Sequence, residues 1–182
     1  MRNFTINYIL ISYGTRPEII KLSPIIRELD KRGISFKTVF TGQHRELYDD
    51  VKDLVPEPDF HLAIMKENQT LTDILSSISL RFGEILRSEN PDLLIVQGDT
   101  STVAVSALIA FYEKVPVGHV EAGLRSFDRS MPEEINRILT DQISDLLFIT
   151  SHEAEVNLLK EGKDKDQIHF VGNTMIDSLI RF

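Results

Sequence analysis

The chain alternates short, continuously apolar runs with longer stretches in which apolar residues recur every three or four positions. The runs at residues 8–12, 35–40, 93–96, 115–120, 146–149 and 168–171 are rich in β-branched residues and lack polar alternation. Strands of a parallel sheet covered on both faces have this character, because neither face meets water. The stretches at residues 18–31, 47–54, 71–88, 102–112, 132–144 and 153–161 carry helical periodicity, and a further helix is predicted over residues 175–182. Alternating strands and helices predict an α/β domain, a Rossmann-like parallel sheet sandwiched by helices and joined by right-handed crossovers. Pro24 falls inside the first helical period, where it removes a backbone donor, so a kink is expected there. Residues 56–58, bounded by two prolines, are expected to form a surface turn.

Composition narrows the class. At 182 residues the chain has the length of one domain, residues 1–182, and 42% hydrophobic residues suffice for a packed core. With no cysteine, disulfides, thiolate metal sites and cysteine nucleophiles are excluded. No apolar run approaches the roughly 18–20 residues that span a bilayer. The run at residues 8–11 is too short for a signal-peptide core, so a cytoplasmic protein without a membrane partner is expected. Twenty basic residues stand against 28 acidic ones, a net charge of −8, which argues against a nucleic-acid partner.

The chemistry-bearing residues follow the predicted strands. Gly14, Thr15, Arg16, Pro17 and Glu18 come after the first, and Thr41, Gly42, Gln43, His44 and Arg45 after the second. Gln97, Gly98, Asp99 and Thr100 follow the third, and Glu121 to Ser126 the fourth. In an open parallel sheet the carboxyl ends of the strands form the ligand crevice, so these loops converge on one edge. They concentrate Arg16, Lys21, Arg45, Arg125 and Arg129 beside helix starts that present N–H groups, a setting suited to a phosphate or diphosphate.

Several of these residues also have purely structural readings. Asp99 suits a helix N-cap, Thr15 and Glu18 have capping-box spacing, and Glu133 and Glu134 suit the first turn of a helix that Pro132 opens. His119, within a strand, is expected to be a satisfied core residue, whereas His44 stands in a crevice loop. Glu121 ends an apolar strand, where a carboxylate must find a partner or shift its pKa. No two histidines have metal-ligand spacing, so no metal site is expected. The dinucleotide, P-loop and nucleophile-elbow signatures are missing from the sequence. Asp99, Glu121 and Glu133 remain as candidate acids in a domain that binds an anionic ligand.

These loops, in this order, together with Pro132 to Arg137 and Gly172 to Asp177, resemble the N-terminal half of the non-hydrolysing UDP-N-acetylglucosamine 2-epimerases. The resemblance implies a GT-B-like enzyme of two Rossmann-like domains, of which residues 1–182 match the first and contain no counterpart of the C-terminal nucleotide-binding domain. It implies interconversion of UDP-N-acetylglucosamine and UDP-N-acetylmannosamine, by elimination of UDP and its re-addition, with no cofactor. The family's catalytic positions fall on Asp99, Glu121 and Glu133, and its substrate-binding positions on Arg16, Lys21, Gln43, His44 and Arg125. Asn68 stands where the family's regulatory site has an arginine, a departure bearing on activation by substrate. The implied partners are UDP-N-acetylglucosamine, a separate C-terminal half and a second copy in a homodimer. On this reading the chain alone is inactive. The competing reading is a non-catalytic binding or dimerisation module that keeps the fold.

Overall fold

In the computed structural model, which describes residues 5–42, 51–62 and 70–180, the apolar runs pair into one parallel sheet. Its strands are β1 (Tyr8–Tyr13), β2 (Ser35–Phe40), β3 (Phe60–His61), β4 (Leu93–Gln97), β5 (Val117–Ala122), β6 (Leu146–Ile149) and β7 (Ile168–Phe170). Their order across the sheet is β3-β2-β1-β4-β5-β6-β7. The chain runs outward from β1 to β3, then returns to lay β4 along the other side of β1. That reversal opens a crevice between the loops that leave β1 and β4. The helices are α1 (Arg16–Lys31), α2 (Leu71–Glu89), α3 (Ser101–Tyr112), α4 (Pro132–Ile143), α5 (His152–Lys160) and α6 (Thr174–Leu179).

Both faces of the central strands are buried, which is why these strands read as unbroken apolar runs. Ile9, Ile11 and Tyr13 pack with Ile19, Leu22 and Ile26 of α1. Leu10, Leu94 and Val96 point the other way, into Ile78, Phe82 and Leu86 of α2 and Val103 and Ala107 of α3. A smaller cluster of Ala122, Leu147, Ile149, Ala154 and Leu158 seats α5.

Three departures from the sequence expectations have simple causes. Of the predicted helix at residues 47–54, the described part is a single 3-10 turn at Lys52–Leu54, and residues 47–50 lie outside the described residues. The two-residue β3 is too short to leave a periodic signal. The fourth predicted strand begins at Val117, because Pro116 has no N–H for a ladder, and it continues to Ala122. Glu121 therefore lies within β5.

The proline in α1 is put to use. Pro24 cannot donate to the carbonyl of Ile20 one turn earlier. That carbonyl instead accepts the hydroxyl of Ser23 at 3.0 Å and, from the far end of the chain, the hydroxyl of Ser178 at 2.7 Å. The lost helical bond becomes the docking point of α6.

Candidate active site

At the crevice the loops are tied together by a buried carboxylate. Glu18, in the first turn of α1, accepts the N–H of Gly14 at 2.6 Å and of Thr15 at 3.3 Å. Its other oxygen accepts the hydroxyl of Thr100, the N-cap of α3, at 2.9 Å. The amides that lead into α1 thus go to an internal anion, which corrects the expectation that they stand open to a ligand. Burial pushes the Glu18 carboxyl up from its ordinary value, against the pull of these donors.

Glu121 sits where β5 slips by one residue against β6. Val120 faces Phe148 and Ala122 faces Ile149, so Glu121 is the extra residue of a bulge, with φ of 69°. A bulge re-aims its side chain, and here the carboxylate turns into the cleft. Both of its oxygens accept Lys21 Nζ at 2.8 Å, and Gln97 donates to Oε2. Lys21 reaches it from the second turn of α1, and Gln97 is the last residue of β4. The burial that the sequence foresaw for Glu121 is thus answered by a cation and an amide.

Asp99 is not the helix cap that its position suggested; Thr100 fills that role. Its carboxylate pairs with Arg137 of α4, and its carbonyl accepts Asn136 Nδ2 at 3.0 Å. Thr15, Lys21, Gln97, Asp99, Glu121 and Arg137 line a cleft of about 420 Å³. Asp99 and Arg137 also form one wall of an adjoining cavity of about 280 Å³, where Glu133, Ser126, Met131 and Arg125 contribute. Two carboxylates beside an ammonium and a guanidinium can exchange protons with a ligand and bind its negative charge in one place.

The remaining candidates are placed less uniformly. Arg16 opens α1 at the same edge and is exposed, and Glu133 lies on the first turn of α4 and borders the second cavity. Arg125 turns its guanidinium inward, where it pairs with Asp141 at 2.7 Å and with Glu161 at 2.6 Å. Gln43, His44, Arg45 and Asn68 lie outside the described residues. Arg129, read with the basic set, is an exposed loop residue. Among the described residues no group of three or more His, Asp or Glu could hold a metal ion.

Sequence reasoning gave no individual role to Arg137 or Asp141, left Gln97 as one residue of a crevice loop, and read Glu134 only as a first-turn acid. Glu134 is buried and accepts the N–H groups of Ser126 and Phe127, shaping the loop before α4. Burial raises its pKa, and those two donors more than compensate, so the carboxyl is held below its ordinary value. Asp141 underlies the whole arrangement. It faces His119 Nδ1 at 2.6 Å, accepts the N–H of Gly123 at 3.0 Å and pairs with Arg125. His119 Nε2 in turn donates to the carbonyl of Gly98 at 2.7 Å, next to Asp99. His119 is the satisfied core histidine that its strand position indicated. Arg137 was signalled by its place at the end of the Pro132 to Arg137 segment and by its spacing, a single helical turn after Glu133.

Comparison with known proteins follows from this geometry. The family model described as UDP-N-acetylglucosamine 2-epimerase matches residues 27–182. The chain is 46% identical over 178 residues to the UDP-N-acetylglucosamine 2-epimerase of Methanocaldococcus jannaschii, covering 94% of this chain and 47% of that protein. It is 45% identical over 175 residues to the Bacillus subtilis enzyme of the same name, with 94% and 46% covered. The crystal structure of the Neisseria meningitidis UDP-GlcNAc 2-epimerase bound to UDP-GlcNAc superposes with a TM-score of 0.91 at 42% identity, over 95% of this chain and 48% of that one. The chain spans about half the length of the curated relatives it matches.

Proposed function

The chain belongs to the UDP-N-acetylglucosamine 2-epimerase family, and from that premise we propose that it is the N-terminal catalytic half of an enzyme interconverting UDP-N-acetylglucosamine and UDP-N-acetylmannosamine. The observation that carries this reading is the cleft in which Asp99, Glu121, Lys21 and Arg137 meet at the carboxyl edge of the sheet. Inversion at carbon 2 needs a base to take its proton, an acid on the opposite face, and stabilisation of the departing diphosphate. One carboxylate removes the proton while the bond from carbon 1 to the diphosphate oxygen breaks, leaving a double bond between carbons 1 and 2. UDP then adds back to carbon 1 as a proton is delivered to the other face of carbon 2. Asp99, Glu121 and Glu133 are the acid and base groups of this scheme. Lys21 and Arg16 receive the diphosphate, with Gln43 and His44 assigned to substrate by the family resemblance alone. Arg125 supports the cavity wall through Asp141 and Glu161. A diphosphate that draws Lys21 away exposes the Glu121 carboxylate as a base.

A C-terminal half completes the active site, and a second copy of the chain is the partner proposed for the apolar surface of the helices. Leu108, Phe111 and Tyr112 on α3 are 39%, 53% and 68% exposed, beside exposed Leu80 on α2 and Leu139 on α4. This surface also suits the competing reading of a dimerisation module. A cytoplasmic location goes with the cysteine-free sequence.

The experiment incubates UDP-N-acetylglucosamine with the chain alone and with a separately expressed C-terminal half, following the manno epimer by NMR. The chain alone is expected to give none and the pair to give turnover. Robust turnover by the lone chain overturns the two-half reading. An inactive pair, both halves folded and associated, favours the module.

A further inference from the structure

We propose that Arg137 is a positioning residue that locks Glu121 into its left-handed backbone conformation and holds the Asp99 loop in register with the Glu121 bulge. The assignment of Asp99 and Glu121 to catalysis rests on the function proposed above; the conformational claim does not.

The argument starts from an outlier. A glutamate with φ of 69° is sterically disfavoured, since its Cβ crowds the following carbonyl, and glycine is the residue that takes such a φ without penalty. Glu121 holds this conformation at the bulge between β5 and β6, where its carbonyl leaves the regular ladder. A half-buried carbonyl still needs a donor, and Arg137 Nη1 supplies it. The second terminal nitrogen of the same guanidinium, Nη2, donates to Asp99 Oδ2.

One planar fork thus bridges the loop that leaves β4 and the bulge near the end of β5. Its two donors are fixed relative to each other, so anchoring one segment places the other. Arg137 is itself buried, and the neighbouring Asn136 grips the carbonyl of Asp99 at 3.0 Å, so α4 holds that loop from two consecutive positions. Strained residues persist only where their surroundings over-determine them, and they collect where a side chain must be aimed. Here the aimed group is the carboxylate that meets Lys21 and Gln97.

The test uses the 182-residue chain. Glu121→Ala and Glu121→Gly both lack the carboxylate and differ by one methyl group, so their difference in thermal midpoint reports the backbone at that position. With Arg137 present, the glycine variant is expected to melt about 2–6 °C above the alanine variant. Combined with Arg137→Gln the order is expected to reverse, because a residue released to extended backbone favours alanine. A glycine advantage of unchanged size without Arg137, or none with it, overturns the proposal. Where Arg137→Gln fails to fold, Arg137→Lys keeps the charge but not the fork, and the same reversal is expected. In an enzyme completed by its C-terminal half, Arg137→Lys is expected to lower kcat per folded site about 100-fold while KM changes little. A kcat per folded site equal to that of the unmodified pair overturns the positioning role. If the unmodified pair does not epimerise, the functional reading fails and the melting order still decides the lock.

Discussion

Asp141 and Glu18 are both buried carboxylates, yet they respond oppositely to their surroundings. Burial opposes ionisation of each. At Asp141, His119 and Arg125 outweigh it and hold the carboxyl below the ordinary value of 3.8. Its contribution to stability is therefore present above pH 3.8 and lost as pH falls through the lowered folded value. Asp141→Asn leaves Arg125 with only Glu161 as a counter-charge and breaks the buried contact to His119, and is expected to cost about 3–5 kcal/mol near neutral pH. Urea unfolding should find the gap to the unmodified chain narrowing below pH 3.8. At Glu18, whose donors among the described residues are the neutral groups of Gly14, Thr15 and Thr100, burial wins and the carboxyl lies above its ordinary value of 4.5. The folded state then binds the extra proton, so stability declines as pH rises from 4.5 through the raised value. Glu18→Gln removes that dependence, and its stability relative to the unmodified chain should improve as pH rises above 4.5.

Among the elements, α6 illustrates how a local defect serves a long-range contact. If Ser178 docks on the carbonyl that Pro24 leaves unpaired, the two effects must be coupled. Ser178→Ala is expected to cost about 1 kcal/mol in the unmodified chain and less in a Pro24→Ala background, where the helix reclaims Ile20. A double-mutant cycle by chemical unfolding checks this, and equal costs in both backgrounds contradict it. Gly123, between β5 and α4, is constrained in a different way. A Cβ there would lie 2.6 Å from the carbonyl of Ala154, and its φ is 79°. Gly123→Ala should push α5 away from the sheet and lower the thermal midpoint by roughly 5 °C or more.

Elements were legible where their signal is local. Unbroken apolar runs gave all the longer strands, and because each is followed by a loop rich in charge, the carboxyl edge was also legible. β3 was not, since two residues carry no period, and Pro116 misplaced the start of β5. Side-chain partners were not legible where they come from afar. Asp99 reads as a cap until α4 delivers Arg137 from 38 residues away, and Lys21 meets Glu121 across 100 residues. Arg125 borders the second cavity as a cleft cation would, and its ion pair with Asp141, which α4 brings from 16 residues away, carries no signal in the sequence.

At the scale of the molecule, helices cover the faces of the sheet and its carboxyl edge carries the charge. That edge holds two linked cavities, and the family's full-length members are about twice as long as this chain. The proposed C-terminal half closes over them, and the proposed second copy packs on the apolar residues of α3. Phe111→Glu with Tyr112→Glu is expected to turn a dimer into a monomer in analytical ultracentrifugation without unfolding it; an unmodified chain that is already monomeric at high concentration contradicts the homodimer. The central claim concerns proton transfer at carbon 2, and it is read most directly by deuterium incorporation from D2O. With the assembled halves and UDP-N-acetylglucosamine, deuterium is predicted to enter carbon 2, and Asp99→Asn, Glu121→Gln or Glu133→Gln to slow that exchange at least about 100-fold. Exchange that persists undiminished in all three variants would contradict the account.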